Sequence, residues 1–397
     1  MTMLQVIGFL TPVILGYLLV IIAALVVTPL VLRRGNKPLK EKREEFSTSE
    51  KGSKKSSARA GKNSRKRRRA KSPTWTPVDE PDAEIIANLQ NEALNLLFEE
   101  KFAELEHFIR DNAKERLRNG SYKLRVFYQA FENFADRPHS DNGKNFPALF
   151  DSTRRWKQSD PESLYSHISL CCTGIGHAWH EANLSTGSAV GDDEEQAKRF
   201  RTRLNEAFEV LEMAPESSKK NPHFYAAALE LGIGLRFDYE EMETIFLHGQ
   251  RLRPEYEMLY VQICTWLLPR WHGQKDTDWP SWLSNSVSRM PEDDGDALFA
   301  RVALEMIERV FYPEDANPFQ TAGLKWDRVR RGGEILLRRF PESTSLPSQM
   351  LKAAHLAESP GTTRNLINRM EHRADPTCWP DMARLQEIET WAQSQSP

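Results

Sequence analysis

Ligand-type side chains are densest at His167, Cys171, Cys172, His177 and His180. On one α-helix His167 would share a face with Cys171, and His177 with His180, so pairs of soft ligands could form. The whole set cannot converge. Six residues turn Cys171 and His177 to different sides of a continuous helix, and no Cys-x-x-Cys element exists to complete a tetrahedral site. Core cysteines and surface histidines are therefore expected, and no metal centre is predicted.

Two Gly-x-Gly elements, Gly174-Ile175-Gly176 and Gly232-Ile233-Gly234, invite comparison with phosphate-binding loops. A dinucleotide fingerprint needs a third glycine where Trp179 and Phe237 stand, and a preceding strand that is not predicted. Close helix packing explains them better, since small residues let backbones approach. The acidic run Asp192-Asp193-Glu194-Glu195 precedes a predicted helix, where negative charge complements the N-terminal dipole, and no acid/base pair can be assigned from it. Nucleophile elbow, Walker loop, kinase signature and zinc-protease helix are all missing from the sequence, so no catalytic residue and no cofactor is implied. Trp266, Trp271, Trp279 and Trp282 place four indoles in seventeen residues. They are candidate partner-binding anchors, although closing a core under a loop is the commoner use of such a cluster.

The elements that must position these residues read as helices almost throughout. Apolar residues recur every three or four positions in Ile85, Ile86, Leu89, Ala93, Leu96 and Leu97, and again in Phe102, Leu105, Phe108 and Ile109, which predicts a helix pair. Asp82 is the expected N-cap of the first. Leu124, Phe127, Tyr128 and Phe131 share one face after the Asn119-Gly120 turn. Further helices are predicted over 161–182, 195–213, 222–235, 238–250, 254–268, 295–311, 321–339, 345–357, 361–370 and 380–394. Strand-like alternation is nearly absent. Turns of the type Asp160-Pro161-Glu162, Ala214-Pro215-Glu216, Arg253-Pro254-Glu255 and Phe340-Pro341-Glu342 recur at irregular spacing. The expected fold is all-α, with antiparallel helix pairs in a tetratricopeptide-like solenoid or an irregular helical bundle.

The amino-terminal part has a different character. Leu4 to Leu32 contains no charged residue, long enough to cross a hydrocarbon core of about 30 Å with some tilt. Residues 33–71 then hold seventeen Lys and Arg against four Glu, leaving the remainder acidic in a chain whose formal net charge is −2. These features predict a transmembrane anchor at 1–33, a basic disordered linker at 34–80 and a helical domain at 81–397. By charge bias the amino terminus would lie outside an inner membrane, the large domain would be cytoplasmic, and the four cysteines would be reduced. Arg65, Lys66, Arg67, Arg68 and Arg69 are candidate contacts for anionic lipid. The acidic domain disfavours nucleic acid as its partner.

Phe102-Ala103-Glu104-Leu105, Lys123-Leu124 with Phe127-Tyr128, and Leu259-Tyr260 leading into Leu267-Leu268-Pro269-Arg270-Trp271-His272-Gly273 resemble a bacterial family of tetratricopeptide-like helical proteins known only as a domain of unknown function. The likeness spans roughly residues 85–290 and implies a helical repeat-like fold without established catalytic residues to carry over. A membrane-anchored scaffold for protein–protein interaction is the function expected from all of this. The rivals are an enzyme with its site between helices near His177, His180 and the tryptophan-rich stretch, and nucleic-acid binding by the basic tether.

Overall fold

The structure is a computed structural model that describes residues 74–136, 141, 143–182, 194–311, 317–379 and 381–395. Sixteen α-helices account for most of the described residues, joined by short turns, two 3₁₀ turns and one π-helical segment at Ile307–Phe311. Among the described residues strand is confined to Thr76–Pro77 and Arg373–Ala374, which pair in parallel.

Five helices form the inside of the domain: Lys123–Glu132, Ser166–Glu181, Pro222–Leu235, Glu257–Trp266 and Glu292–Met306. Each packs on the next in sequence, apart from minor neighbours, and each of the last four also packs on a following outer helix. The outer partners are Glu194–Glu212, Tyr239–Leu252, Asp278–Ser286 and Trp326–Arg339. Composition sorts the two classes. Pro222–Leu235 and Glu257–Trp266 are apolar on nearly every face and almost wholly buried, whereas Glu194–Glu212 buries only the stripe Ala197, Phe200, Leu204, Ala207 and Leu211. Local signals set the ends: Asn221 caps the amide of His223 ahead of Pro222, and Asp238 with Glu241 forms a capping box.

The glycines do what close packing requires. A methyl at Gly176 would overlap the backbone carbonyl of Glu132, and one at Gly174 would press on Ala207. Gly234 meets Leu204 and Phe200 in the same way on the next hairpin. Both Gly-x-Gly elements are thus helix-crossing points.

The first and last elements are stitched together. Trp75 is 6% exposed and donates its indole N–H to Glu389, 3.2 Å away. Asp82, expected as an N-cap, instead spends one carboxylate oxygen on the backbone N–H of Ser345 at 2.9 Å and the hydroxyls of Ser343 and Ser345 at 2.7 and 2.6 Å. Its other oxygen receives the Arg118 guanidinium at 2.5 Å. Burial pushes the Asp82 carboxyl up, but these donors outweigh it and hold it below the ordinary value.

Several expectations need correction. Among the described residues no helix is long and apolar enough to cross a membrane. The longest, Glu194–Glu212, is studded with Lys, Arg and Glu, so the described residues are all-α and helical repeat-like and do not include the expected transmembrane helix. The segment 1–33 to which that helix was assigned, and Arg65, Lys66, Arg67, Arg68 and Arg69, lie outside the described residues. Packing begins at Trp75, earlier than the boundary expected at 81. Three helices among the described residues escaped the periodicity reading: Phe146–Ser159, whose apolar stripe is interrupted by Pro147 and many polar residues, Asp278–Ser286 inside the tryptophan-rich stretch, and the single turn Pro318–Thr321.

Candidate functional site

The four tryptophans are structural in placement. Trp279 is fully buried, Trp266 is 5% exposed, and Trp271 and Trp282 are half-buried against the same core. Trp271 meets the edge of Trp179 with ring centroids 5.6 Å apart, and Trp282 meets Phe246 at 5.0 Å. Core closure is the role their burial supports.

The ligand-rich helix also resolves differently from its sequence pattern. Cys171 and Cys172 are fully buried as expected, but His167 is 5% exposed instead of lying on the surface. His177 lines a cavity of about 320 Å³ with Asp151, Arg154, Arg203 and Glu206, and burial together with the Arg203 charge lowers its pKa. His180 is exposed beside Phe146. His177 and Cys172, five positions apart in sequence, belong to different clusters.

Cys172 instead faces a site assembled from three inner helices. Its thiol donates to Oε1 of Glu132 at 3.3 Å, and the same oxygen receives Nε2 of His223 at 3.0 Å. On the far side of the imidazole, Nδ1 lies 2.7 Å from the Tyr256 hydroxyl. Tyr128 stacks on the ring at 4.2 Å, and its own hydroxyl accepts from Asn221 at 2.8 Å. A carboxylate can only accept, so the proton sits on Nε2 and Tyr256 donates to Nδ1. Burial pushes the Glu132 carboxyl up, but the His223 contact, the Cys172 thiol and the Arg309 charge hold it below its ordinary value. Burial and the neighbouring carboxylates push the Cys172 thiol far up, so this cysteine is not an activated nucleophile. Nearby Glu230 is raised to about 8 by burial and by the charge of Glu132, with Gln262 donating to it at 2.8 Å.

A second set of charges runs beside the first. Arg125 is 5% exposed, donates to Glu305 at 2.6 Å and lies 3.5 Å from the fully buried Glu257. Glu305 also receives Arg309 at 2.7 Å, and Arg309 belongs to the π-helical segment that follows the last inner helix. Such segments recur at functional sites because the widened turn re-aims one side chain.

Arg301, on that last inner helix, is a cation with no acidic ion-pair partner among the described residues, and it donates to the Asn119 carbonyl at 2.8 Å. Its guanidinium lies 5.6 Å from the centre of the Phe340 ring. The left-handed φ of 83° at Gly120 and the missing side chain there let Arg301 and Phe340 approach the turn. Burial first, then the like charges of Arg116 and Arg125, lower Arg301 to about 10 despite the attraction of Glu257. Arg301 lines a cavity of about 430 Å³ together with Arg116, Glu255, Asp294 and Arg339, walled by Met290, Ala297, Leu298, Leu336 and Phe340. Arg339 is already paired with Asp294 at 2.8 Å, and Arg116 lies 3.9 Å from Glu255 while donating to the Gly120 carbonyl at 2.7 Å.

Sequence reasoning missed Glu132, His223, Tyr256 and Arg301. One signal was available: Glu230 is the single charged residue in the otherwise apolar Pro222–Leu235, and a lone acid in such a helix marks a buried polar contact. No protein-family model, curated protein or solved structure matches this chain.

Proposed function

We propose that this chain is a helical-repeat binding protein whose recognition site is the arginine-lined cavity at Arg301, and that the cavity takes a carboxylate-bearing segment of a protein partner. The observation that carries the reading is the imbalance of charge around the cavity. Arg339 and Arg116 have carboxylates of their own, whereas Arg301 has only a carbonyl. A desolvated guanidinium that has only a carbonyl for a partner gains charge-assisted hydrogen bonds from an incoming anion. The apolar walls at Leu298, Leu336 and Phe340 fit a side chain with an apolar stem, so an acidic peptide is the favoured class. Helical-repeat domains build extended recognition surfaces from consecutive hairpins, which agrees with this use.

The test is fluorescence anisotropy of the full chain with short labelled acidic peptides and their amide-neutralised counterparts at low salt. Acidic peptides should bind and the neutral ones should not. Arg301→Gln should weaken binding by roughly ten- to a hundredfold, the loss expected for one charge-assisted contact. Arg154→Gln, on the outer helix Phe146–Ser159, should leave it unchanged. Equal binding of neutral peptides, or indifference to Arg301→Gln, would overturn the reading.

A further inference from the structure

We propose that Glu132, Cys172 and His223 form a binding site for one zinc-class divalent cation, independent of the arginine-lined cavity. One carboxylate oxygen, one thiol sulfur and one imidazole nitrogen all lie within 4.8 Å of one another, each delivered by a different inner helix. The two separations from the Glu132 oxygen fit a shared ion. With bonds of about 2.3 Å to sulfur and about 2.0 Å to nitrogen and oxygen, tetrahedral geometry places sulfur about 3.5 Å from oxygen, and nitrogen about 3.3 Å from oxygen. Here those distances are 3.3 and 3.0 Å, so a small outward shift of the three side chains admits the metal.

The chemistry of the donors points the same way. A sulfur, nitrogen and oxygen set suits zinc better than a hard cation such as magnesium or calcium. Three protein ligands leave a fourth position, the arrangement of zinc sites that hold a water or an exogenous group. On binding, the imidazole would exchange its Nε2 proton for one on Nδ1, ligating through Nε2 while Nδ1–H donates to the Tyr256 oxygen 2.7 Å away, which then accepts and fixes the ring from behind. Tyr128 stacked at 4.2 Å fixes its plane. Charge closes as well: a divalent ion balances the Glu132 carboxylate and the Cys172 thiolate, and one thiol proton is released on binding. Gly176, one turn after Cys172, brings the two helices close enough for Glu132 and Cys172 to share an ion, since any side chain there would meet the Glu132 backbone.

The experiment uses untagged full-length protein freed of metal by chelation and titrated with Co²⁺, then Zn²⁺. Saturable one-to-one binding is expected, with a thiolate-to-cobalt charge-transfer band, strong four-coordinate visible bands, and displacement by zinc. Cys172→Ser should abolish the charge-transfer band, His223→Gln should weaken binding by more than about tenfold, and Cys264→Ser, a buried cysteine elsewhere, should change neither. Because a buried variant can fail to fold, zinc-edge X-ray absorption of the wild-type protein provides the second readout. It should show one sulfur at about 2.3 Å and imidazole scattering. No charge-transfer band in the wild type, a band that survives Cys172→Ser, or a first shell without sulfur would each overturn the site and leave a hydrogen-bonded network alone.

Discussion

Replacing Arg125 with leucine tests whether the buried charges between the inner helices are held by electrostatics. Burial pushes the Glu305 carboxyl up, but the charges of Arg125 and Arg309 outweigh it and hold it at about 2, against an ordinary value of 4.5. A carboxylate depressed in this way adds stability that is fully present above its unfolded value and is lost as pH falls through the folded one. At about 1.4 kcal/mol per pH unit, the whole contribution is about 3 kcal/mol. Leucine removes the larger part of it and also strands the carboxylate of Glu257, which is 0% exposed and whose Oε2 has no hydrogen-bond partner among the described residues. The expected loss at pH 7 is therefore about 3–5 kcal/mol, the range for one partner removed from a buried pair. The assay is urea unfolding followed by circular dichroism at pH 7 and pH 3.5. The gap between wild type and Arg125→Leu should narrow by about 1 kcal/mol at the lower pH, as the wild-type Glu305 advantage fades. Adding Glu257→Leu to the variant should recover part of the loss. A deficit below about 1 kcal/mol at pH 7, or one that ignores pH, would refute the reasoning.

Four other outcomes follow from the packing. Gly176→Ala should destabilise by more than about 2 kcal/mol, because the added methyl meets backbone and cannot rotate away. Gly361→Ala, which meets nothing within 4 Å inside Pro360–Met370, should be neutral or stabilise by about 0.5–1 kcal/mol in the same melting assay. Asp82→Ala should release the tie between the start of the first helix and Ser343–Ser345, so hydrogen exchange should rise in 82–90 and 343–346 more than elsewhere. Thiol titration at pH 8 should find Cys171, Cys172 and Cys264 unreactive in the native protein and Cys378 slow, with all four reacting in urea, since burial raises every one of these thiols and pushes Cys378 to about 12.

Periodicity sufficed for the helices whose apolar stripes are long and whose caps are strong. Pro222–Leu235 and Ser345–Leu356 begin where the sequence places them, and the two Gly-x-Gly elements act as crossing points between helices, as their missing third glycine suggested. Phe146–Ser159 was illegible because its few buried residues, Phe146, Leu149, Ser152, Thr153 and Trp156, are partly polar themselves and are diluted by a polar outer face that pattern counting reads as loop. His167 broke the surface expectation because Ser166–Glu181 is covered on nearly all sides by neighbours the sequence does not show.

The sites divide along the same line. Residue types and local spacing determined by themselves most of the helical segments, which glycines permit close crossing, and that no sequence motif announces a catalytic centre. Tertiary structure alone decided that Cys172 meets Glu132, forty positions away, and His223 beyond it, and that Arg301 faces Phe340 across the Gly120 turn without an acid of its own. The reason is physical: helical periodicity encodes which face of a segment is buried, whereas the contacts between polar groups on different buried faces depend on the order and angle in which those helices stack.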